Sequence, residues 1–171
     1  MIAKDVLRNM NLFVDGHGHA GNVVEITLPK LALKTEEHRA GGMDAPIAID
    51  MGMEKMETSF TLSGYNKEVL KLFGLAPGNA KPITIRGALK SEDSDAVVAV
   101  VVQLNGTFRE VEADAWKPGD KSNLKVTMDV RKYVYTQGGE EIHNIDVVNM
   151  TRIINKVDQL KGMRDAIMGK S

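Results

Sequence analysis

The chain has no cysteine, few aromatic residues and no excess of charge of one sign. Without cysteine, disulfides, thiolate catalysis and cysteine-based zinc sites are impossible. The 22 Lys and Arg residues balance 23 Asp and Glu residues, for a formal net charge of −1. A dedicated nucleic-acid binder usually carries a basic excess, and a tight groove for single strands interleaves basic and aromatic residues. This chain shows neither, so composition argues against that class.

Long hydrophobic runs are also missing. The longest apolar run covers residues 96–102, whereas a membrane span needs roughly 18 apolar residues. Charged residues interrupt the N-terminus, which therefore lacks the apolar core of a signal peptide. We expect a protein without a membrane anchor that is made in the cytoplasm. The 171 residues, 43% of them hydrophobic, are enough to form one domain spanning residues 1–171.

Alternation of apolar and polar residues predicts β-strands along most of the chain. The run 96–102 is apolar on both faces, which predicts a strand that is covered on both sides. Turn residues separate these runs, and the dipeptides Asp15-Gly16 and Asn105-Gly106 each predict a hairpin. The alternating segments are 24–28, 56–62, 83–90 and 124–131, and further turns are predicted at 118–120 and 137–139.

Two helices are predicted outside the strands. Asn66 can cap a helix over residues 67–73, and Gly74 would end it. The second helix covers about residues 158–168, with Asp158 as its N-cap. The predicted fold class is therefore mainly β, with one short internal helix and one C-terminal helix.

Residues 40–56 do not have the composition of an exposed loop. Gly41-Gly42 and Pro46 break regular structure, yet the segment is rich in isoleucine and holds four of the ten methionines. Methionine is common at adaptable interfaces, and long loops in compact domains are often functional. The segment could fold back over its own core. We favour packing against another copy of the chain.

The hairpin at residues 15–19 contains a metal-like grouping. His17 and His19 can place two imidazoles on one face of a strand, and Asp15 could add a third ligand. The competing interpretation, which we weight more heavily, is a glycine-rich hairpin tip with polar side chains. No phosphate-binding glycine motif or nucleophile elbow occurs in the sequence.

Glu110, Glu112 and Asp114 lie at alternate positions and place three carboxylates on one strand face. This arrangement fits an acidic surface for a basic partner and a simply hydrated face equally well. Both interpretations stay open.

Eight short segments form a characteristic series along the chain: residues 11–16 (NLFVDG), 27–31 (TLPKL), 34–36 (KTE), 39–46 (RAGGMDAP), 49–52 (IDMG), 73–75 (FGL), 145–149 (IDVVN) and 155–160 (NKVDQL). Taken in this order, they resemble the major tail tube protein of contractile-tailed phages and of R-type bacteriocins. The resemblance extends over nearly the whole chain, and the ordered combination is more specific than any one piece.

The resemblance implies a small β-barrel or sandwich with a flanking helix and a C-terminal helix. It implies hexameric rings that stack into a tube inside a contractile sheath and puncture the target envelope. The implied partners are further copies of the chain, the tail sheath protein, a baseplate or tube initiator, the tape-measure protein in the lumen, and DNA in transit if the particle is a phage. Assembly would occur in the host bacterial cytoplasm, and the product would be a virion tail or a released bacteriocin particle. No cofactor and no enzymatic activity are expected.

The resemblance also assigns positions to surfaces. An N-terminal arm, residues 1–10, and the C-terminal helix would add contacts between rings. Lys67 and Lys71 on the internal helix become candidates for contact with the sheath. Lumen-facing positions are expected to carry few net positive charges, because basic contacts would hold passing DNA. The inter-subunit contact is expected at Gly41, Gly42, Met43, Asp44, Ala45, Pro46, Ile49 and Met51.

Two other functions are kept as alternatives. The first is a tube subunit of a type VI secretion system or another contractile injection system. The second is a small metal-dependent enzyme built on His17, His19 and Asp15, which would need a pocket and a bound metal.

Overall fold

The computed structural model describes residues 2–19, 22–74 and 78–169 and is mainly β. The described residues contain two short helices, α1 (Lys67–Leu70) and α2 (Lys161–Ile167). Neither is long and apolar enough to cross a membrane. The strands are β1 (Val6–Val14), β2 (His17–Gly18), β3 (Val23–Thr27), β4 (Leu33–His38), β5 (Ile47–Met53), β6 (Met56–Leu62), β7 (Lys81–Lys90), β8 (Val97–Ala113), β9 (Leu124–Gln137), β10 (Glu140–Asp146), β11 (Thr151–Ile154) and β12 (Val157–Asp158).

Ten strands form one antiparallel sheet around the long pair β8 and β9. The order along the sheet is β12-β11-β10-β9-β8-β7-β1-β2. The edge of β9 that faces away from β8 is shared, because β6 pairs with its first half and β10 with its second half. Strand β3 extends the sheet beyond β6, while β4 and β5 pair only with each other as a separate two-stranded sheet.

The core confirms the predicted alternation. In β6, Met56, Thr58, Phe60 and Leu62 are buried and the residues between them are more exposed. The rings of Phe60 and Phe108 meet edge to face, with centroids 5.9 Å apart, a favoured aromatic geometry. One face of the sheet therefore supplies the core.

The hairpin predicted at Asn105-Gly106 is wrong. Strand β8 continues through both residues, and a shift in its register with β9 occurs at this point. A Cβ at Gly106 would lie 1.9 Å from the carbonyl oxygen of Asp129. Glycine is needed here because β9 approaches the backbone closely at an irregularity in the ladder.

The strand predicted at residues 96–102 is present, but it is not covered on both sides within one chain. Val100 and Val102 are buried in the core, whereas Val97 is 62% exposed and Ala99 is also exposed. The outer face of β8 has no covering layer among the described residues.

The other predicted turns are confirmed. Val14 pairs with His17 across Asp15-Gly16, and both turn residues have positive φ, at 47° and 84°. Gly138 and Gly139 connect β9 to β10 in the same way, with φ of 59° and 81°. These angles suit the hairpin turns that match strand twist. The turn at residues 118–120 is closed by the N–H of Asp120 donating to the carbonyl of Lys117.

Both predicted helices exist but are shorter than expected. The side chain of Asn66 caps α1 by accepting from the N–H groups of Glu68 and Val69, yet α1 ends at Leu70 rather than at residue 73. Asp158 lies in β12 instead of capping α2, which begins at Lys161. Pairing of β12 with β11 makes the start of the predicted helix extended.

The N-terminal arm is also shorter than residues 1–10. Strand β1 begins at Val6 and pairs with residues 83–90 of β7, with a register irregularity between Leu7 and Asn9. Backbone pairing of residues 6–10 therefore incorporates half of the expected arm into the sheet.

Candidate assembly surfaces

Residues 33–53 form a hairpin outside the main sheet, which we call the β4–β5 hairpin. Residues 47–53 of the segment expected to be an irregular loop are therefore regular strand, and Met56 belongs to the core in β6. The hairpin does not cover the core of its own chain, because Ile47, Ile49 and Met51 are 52%, 42% and 52% exposed. The connection between its strands contains the predicted residues Gly41, Gly42, Met43, Asp44, Ala45 and Pro46.

The turn of the hairpin is held by local contacts. The N–H of Met43 donates to the carbonyl of Ala40, and Arg39 Nε donates to the carbonyl of Met43 at 3.2 Å. Gly42 has a φ of +88°, which residues with a Cβ rarely adopt. The backbone of the turn is therefore defined without contacts from the main sheet.

The two faces of β5 differ in chemistry. Because side chains alternate along a strand, Ile47, Ile49 and Met51 share one face, which we call the apolar hairpin face. Residues directly opposite each other in an antiparallel pair share a face, so Glu36, opposite Ile49, and His38, opposite Ile47, border these three side chains. Ala48 and Asp50 lie on the other face of β5.

The second face connects the hairpin to the main sheet at its base. Asp50 Oδ2 accepts from Arg152 Nη2 at 2.7 Å, and the side chain of Arg152 is only 10% exposed. The N–H of Gly52 donates to Asp50 Oδ1 at 2.8 Å. These two contacts, the Gly52 hydrogen bond first, hold the pKa of Asp50 below its ordinary value. The apolar hairpin face is therefore the one directed away from this anchor.

A second apolar surface lies between the edges of β1 and β3. These strands are not paired with each other among the described residues, and unpaired edges can accept strands from another chain. The groove between them has a volume of about 210 Å³. Its lining includes Leu7, Met10, Ile26, Leu28, Val102 and Tyr135.

The central part of the outer face of the main sheet, formed by β1, β7, β8 and β9, holds few charged residues, and we call this part the polar sheet face. The register places Asn11, Arg86, Val101 and Thr136 in one row across β1, β7, β8 and β9. The next row contains Phe13, Thr84, Gln103 and Val134. Arg86 is the single charged residue in these two rows.

Helix α1 presents the two lysines proposed for sheath contact. Lys67 is exposed, and the side chain of Lys71 is 65% exposed while pairing with Glu68 at 3.1 Å. The buried Val69 holds the opposite side of α1 against the core. Both lysines are therefore positioned on the surface, where a partner could reach them.

The structure does not assemble the metal grouping. Among the described residues, no three His, Asp or Glu side chains are placed to hold a metal ion. His17 is exposed, whereas His19 is 2% exposed and its Nε2 atom has no hydrogen-bond partner among those residues. Burial, with a smaller contribution from His17, lowers the pKa of His19. His19 is accordingly a buried residue whose surroundings favour the neutral imidazole.

Two contacts could not be found from sequence patterns. Asp50 and Arg152 are separated by 102 positions, so no local motif connects them. Trp116 donates its indole N–H to the hydroxyl of Tyr65 at 2.6 Å across 51 positions. A lone tryptophan beside a Pro-Gly turn was the one available signal for the second contact.

These features define a class of protein: a β-rich subunit that exposes apolar and strand-edge surfaces suited to joining copies of itself. The chain belongs to the phage tail tube protein FII family, whose pattern it matches over residues 4–167. It is a structural tube subunit.

Curated relatives support the same assignment. The chain is 30% identical over 161 residues to the tail tube protein of Escherichia phage P2, covering 92% of this chain and 94% of the relative. It is 27% identical over 145 residues to the major tail tube protein of Serratia phage KSP20, covering 84% and 83% of the two chains.

Solved structures show the same fold at low sequence identity. A chain in the extended sheath–tube complex of the PVC extracellular contractile injection system has a TM-score of 0.58 and 11% identity, covering 75% of this chain and 88% of that one. A chain in the tube-terminating cap of the anti-feeding prophage has a TM-score of 0.59 and 12% identity, covering 80% and 94%.

Proposed function

We propose that six copies of this chain form a ring and that the rings stack into the inner tube of a contractile tail. The observation that carries this proposal is the β4–β5 hairpin, which leaves Ile47, Ile49 and Met51 exposed. Removing such apolar surface from water is favourable by about 25 cal/mol per Å². A second copy of the chain packs on these exposed side chains. The open edges of β1 and β3 are sites where strands of neighbouring copies can pair.

The proposed tube lies inside a contractile sheath, grows from a baseplate or tube initiator, and holds a tape-measure protein before DNA passes through it. Assembly takes place in the host bacterial cytoplasm, and the tube punctures the target envelope when the sheath shortens. Similarity to phage tail tube proteins supports this role over catalysis. The extended sheath–tube complex of the PVC system contains a chain of the same fold, which supports a sheath as the partner here.

The polar sheet face is the proposed wall of the lumen. The two central rows of this face hold uncharged residues apart from Arg86. Each phosphate contact made by a basic residue adds affinity for DNA. A wall with one cation in these rows lets a polyanion pass without strong retention.

Substitutions on the two faces of β5 test the hairpin contact. Ile49→Asp places a charge on the apolar hairpin face, and we expect it to abolish tubes in negative-stain micrographs. Ala48→Asp adds the same charge to the opposite face of the same strand and is the matched control, which we expect to assemble. Met43→Asp at the turn should also block stacking. Circular dichroism and thermal melting should show that all variants fold.

The wild-type chain provides the decisive outcome. Rings or tubes should form at high concentration, or when sheath and baseplate proteins are present to nucleate them. A chain that stays strictly monomeric under all of these conditions would overturn the proposal. Equal assembly of the Ile49→Asp and Ala48→Asp variants would move the contact away from the apolar hairpin face.

A further inference from the structure

The groove between the unpaired edges of β1 and β3, which we call the β1/β3 groove, is open in a single chain. Its described lining comes from β1, β7, β8 and β9 and, on the β3 side, from Ile26 and Leu28. Leu7 and Leu28 contribute to this lining although they are 52% and 39% exposed. The core of one chain therefore ends here in an apolar surface that solvent can reach.

The chemistry of the β1/β3 groove suits an apolar occupant. Among its described lining residues, none is charged and Tyr135 has the one polar side chain, whose hydroxyl already donates to Gln137 Oε1 at 3.0 Å. A larger hollow of about 360 Å³ at the base of the hairpin differs, because Lys55, Asp146 and Arg152 help to line it. Burying charged groups beneath an apolar partner costs free energy, so the β1/β3 groove is the better receptor for aliphatic side chains.

The apolar hairpin face supplies aliphatic side chains of this kind. Ile47, Ile49 and Met51 are exposed, and none of them lines the groove of its own chain. The contact between Asp50 and Arg152 fixes their strand to β11, whereas the groove opens beside β1, near the other end of the strand order. The two surfaces are therefore separate within one chain.

We propose that the apolar hairpin face of each copy packs in the β1/β3 groove of a neighbouring copy, with Ile49 at the centre of the contact. A cavity of about 150 Å³ lined by apolar side chains holds one benzene, so the groove, at about 210 Å³, has room for about one or two aliphatic side chains. Ile49 is the middle residue of the three, and Glu36 and His38, which border them, remain at the rim. This inference rests on the proposed tube function and names the surface that receives the hairpin.

The direction of this contact also suits a tube. The apolar hairpin face and the β1/β3 groove are different surfaces, so each copy gives its hairpin to one neighbour and receives a hairpin from another. Head-to-tail contacts of this kind close into rings or continue as helical arrays. A contact between two hairpin faces would instead join copies in symmetric pairs and would not propagate.

Cysteine variants test which surfaces meet, because the chain has no cysteine of its own. Tubes assembled from a mixture of Ile49→Cys and Leu28→Cys chains should give cross-linked dimers with a short bismaleimide, and tubes of either variant alone should not. Ala48→Cys, on the opposite face of β5, is the matched control and should not cross-link to Leu28→Cys. Dimers in tubes of Ile49→Cys alone, or no dimers in the mixed tubes, would overturn the proposal.

A charge placed in the groove tests its contribution to assembly. Leu28→Asp should raise the chain concentration needed for tubes about tenfold or more, the effect of losing a central interface contact. Leu70→Asp is the control, because Leu70 lies in α1 and is 40% exposed against 39% for Leu28, and it should form tubes like the wild type. Circular dichroism and thermal melting should show that both variants fold. The cross-linking test does not depend on the folding of Leu28→Asp.

The outcomes separate the two proposals. Failure of the wild type to form rings or tubes under any condition would contradict the tube function. Normal wild-type tubes, together with equal assembly of Leu28→Asp and Leu70→Asp, would contradict the groove contact alone.

Discussion

Asp50 and Arg152 form the ion pair that connects the β4–β5 hairpin to the main sheet. The two atoms in contact, Asp50 Oδ2 and Arg152 Nη2, are 2.7 Å apart. Arg152 is 8% exposed as a residue, and its Nε atom has no partner among the described residues. A buried guanidinium with one carboxylate partner depends strongly on that partner, so the angle of the hairpin depends on this pair.

The Asp50→Asn variant should loosen the hairpin. Its amide cannot neutralise Arg152, so we expect faster hydrogen exchange across β4 and β5 and fewer tubes, with little change in β8 and β9. Exchange measured by mass spectrometry at neutral pH checks this. Glu37→Gln removes a hairpin carboxylate that has no ion-pair partner in the described part of the chain and serves as the control. Equal exchange in both variants would show that the pair does not anchor the hairpin.

The same pair has a predictable pH dependence. The pKa of Asp50 is lowered from 3.8 by the Gly52 N–H and by Arg152. A carboxyl group whose pKa is lower in the folded chain than in the unfolded chain stabilises the fold. Its contribution is complete above the ordinary value of 3.8 and is lost as pH falls through the lowered value. Between neutral pH and about pH 5, titration of Asp50 should therefore not change the hydrogen-exchange protection of the hairpin. Exchange rates over this range should vary only through the intrinsic pH dependence of amide exchange. The wild type should approach the Asp50→Asn variant only in strong acid.

Gly106→Ala should destabilise the fold severely. A Cβ at this position would lie 1.9 Å from the Asp129 carbonyl oxygen, a backbone atom that cannot move freely. Overpacking of this kind costs about 3 kcal/mol, measurable by urea denaturation. Gly64→Ala is the control, because a Cβ at Gly64 would meet no atom within 4 Å. An unchanged unfolding midpoint for Gly106→Ala would contradict the close approach of β8 and β9.

Acid should weaken the fold through His19. Burial lowers the pKa of His19 from 6.5, so the unfolded chain binds the proton more readily than the folded chain. Stability should therefore fall as pH drops below 6.5 towards the lowered value. Replacing the titrating group, as in His19→Leu, should reduce the difference in melting temperature between pH 7.5 and about pH 5.5. His38→Leu should leave that difference close to the wild-type value, because His38 is exposed in β4 and is not among the groups that lower the pKa of His19.

The polar sheet face can be tested because the chain has no cysteine. In assembled tubes, a Gln103→Cys variant should react with a small maleimide but not with a maleimide carried on a large polymer. A Lys71→Cys variant, on α1, should react with both in tubes without sheath. Both reagents should label both variants as monomers. Labelling of the Gln103→Cys tubes by the large reagent would show that this face does not line the lumen.

Local patterns predicted the strands well where one face packs on the core, as in β6 and β9. They failed where a contact from elsewhere decided the conformation. Asn105-Gly106 has the sequence of a hairpin turn, but pairing with β9 keeps β8 extended through it. Residues 40–56 have the glycines of a loop, but cross-strand pairing of Ile49 with Glu36 makes most of the segment a hairpin.

The sequence alone determined the β class, the turns at Asp15-Gly16 and Gly138-Gly139, and the absence of thiol chemistry, because these depend on residue type and short-range spacing. Only the tertiary structure decided which sheet face is buried, where the hairpin is anchored and that Trp116 is held by Tyr65. Alternation defines two faces of a strand without saying which one meets the core. Contacts such as Asp50–Arg152 depend on the folded path that brings distant residues together.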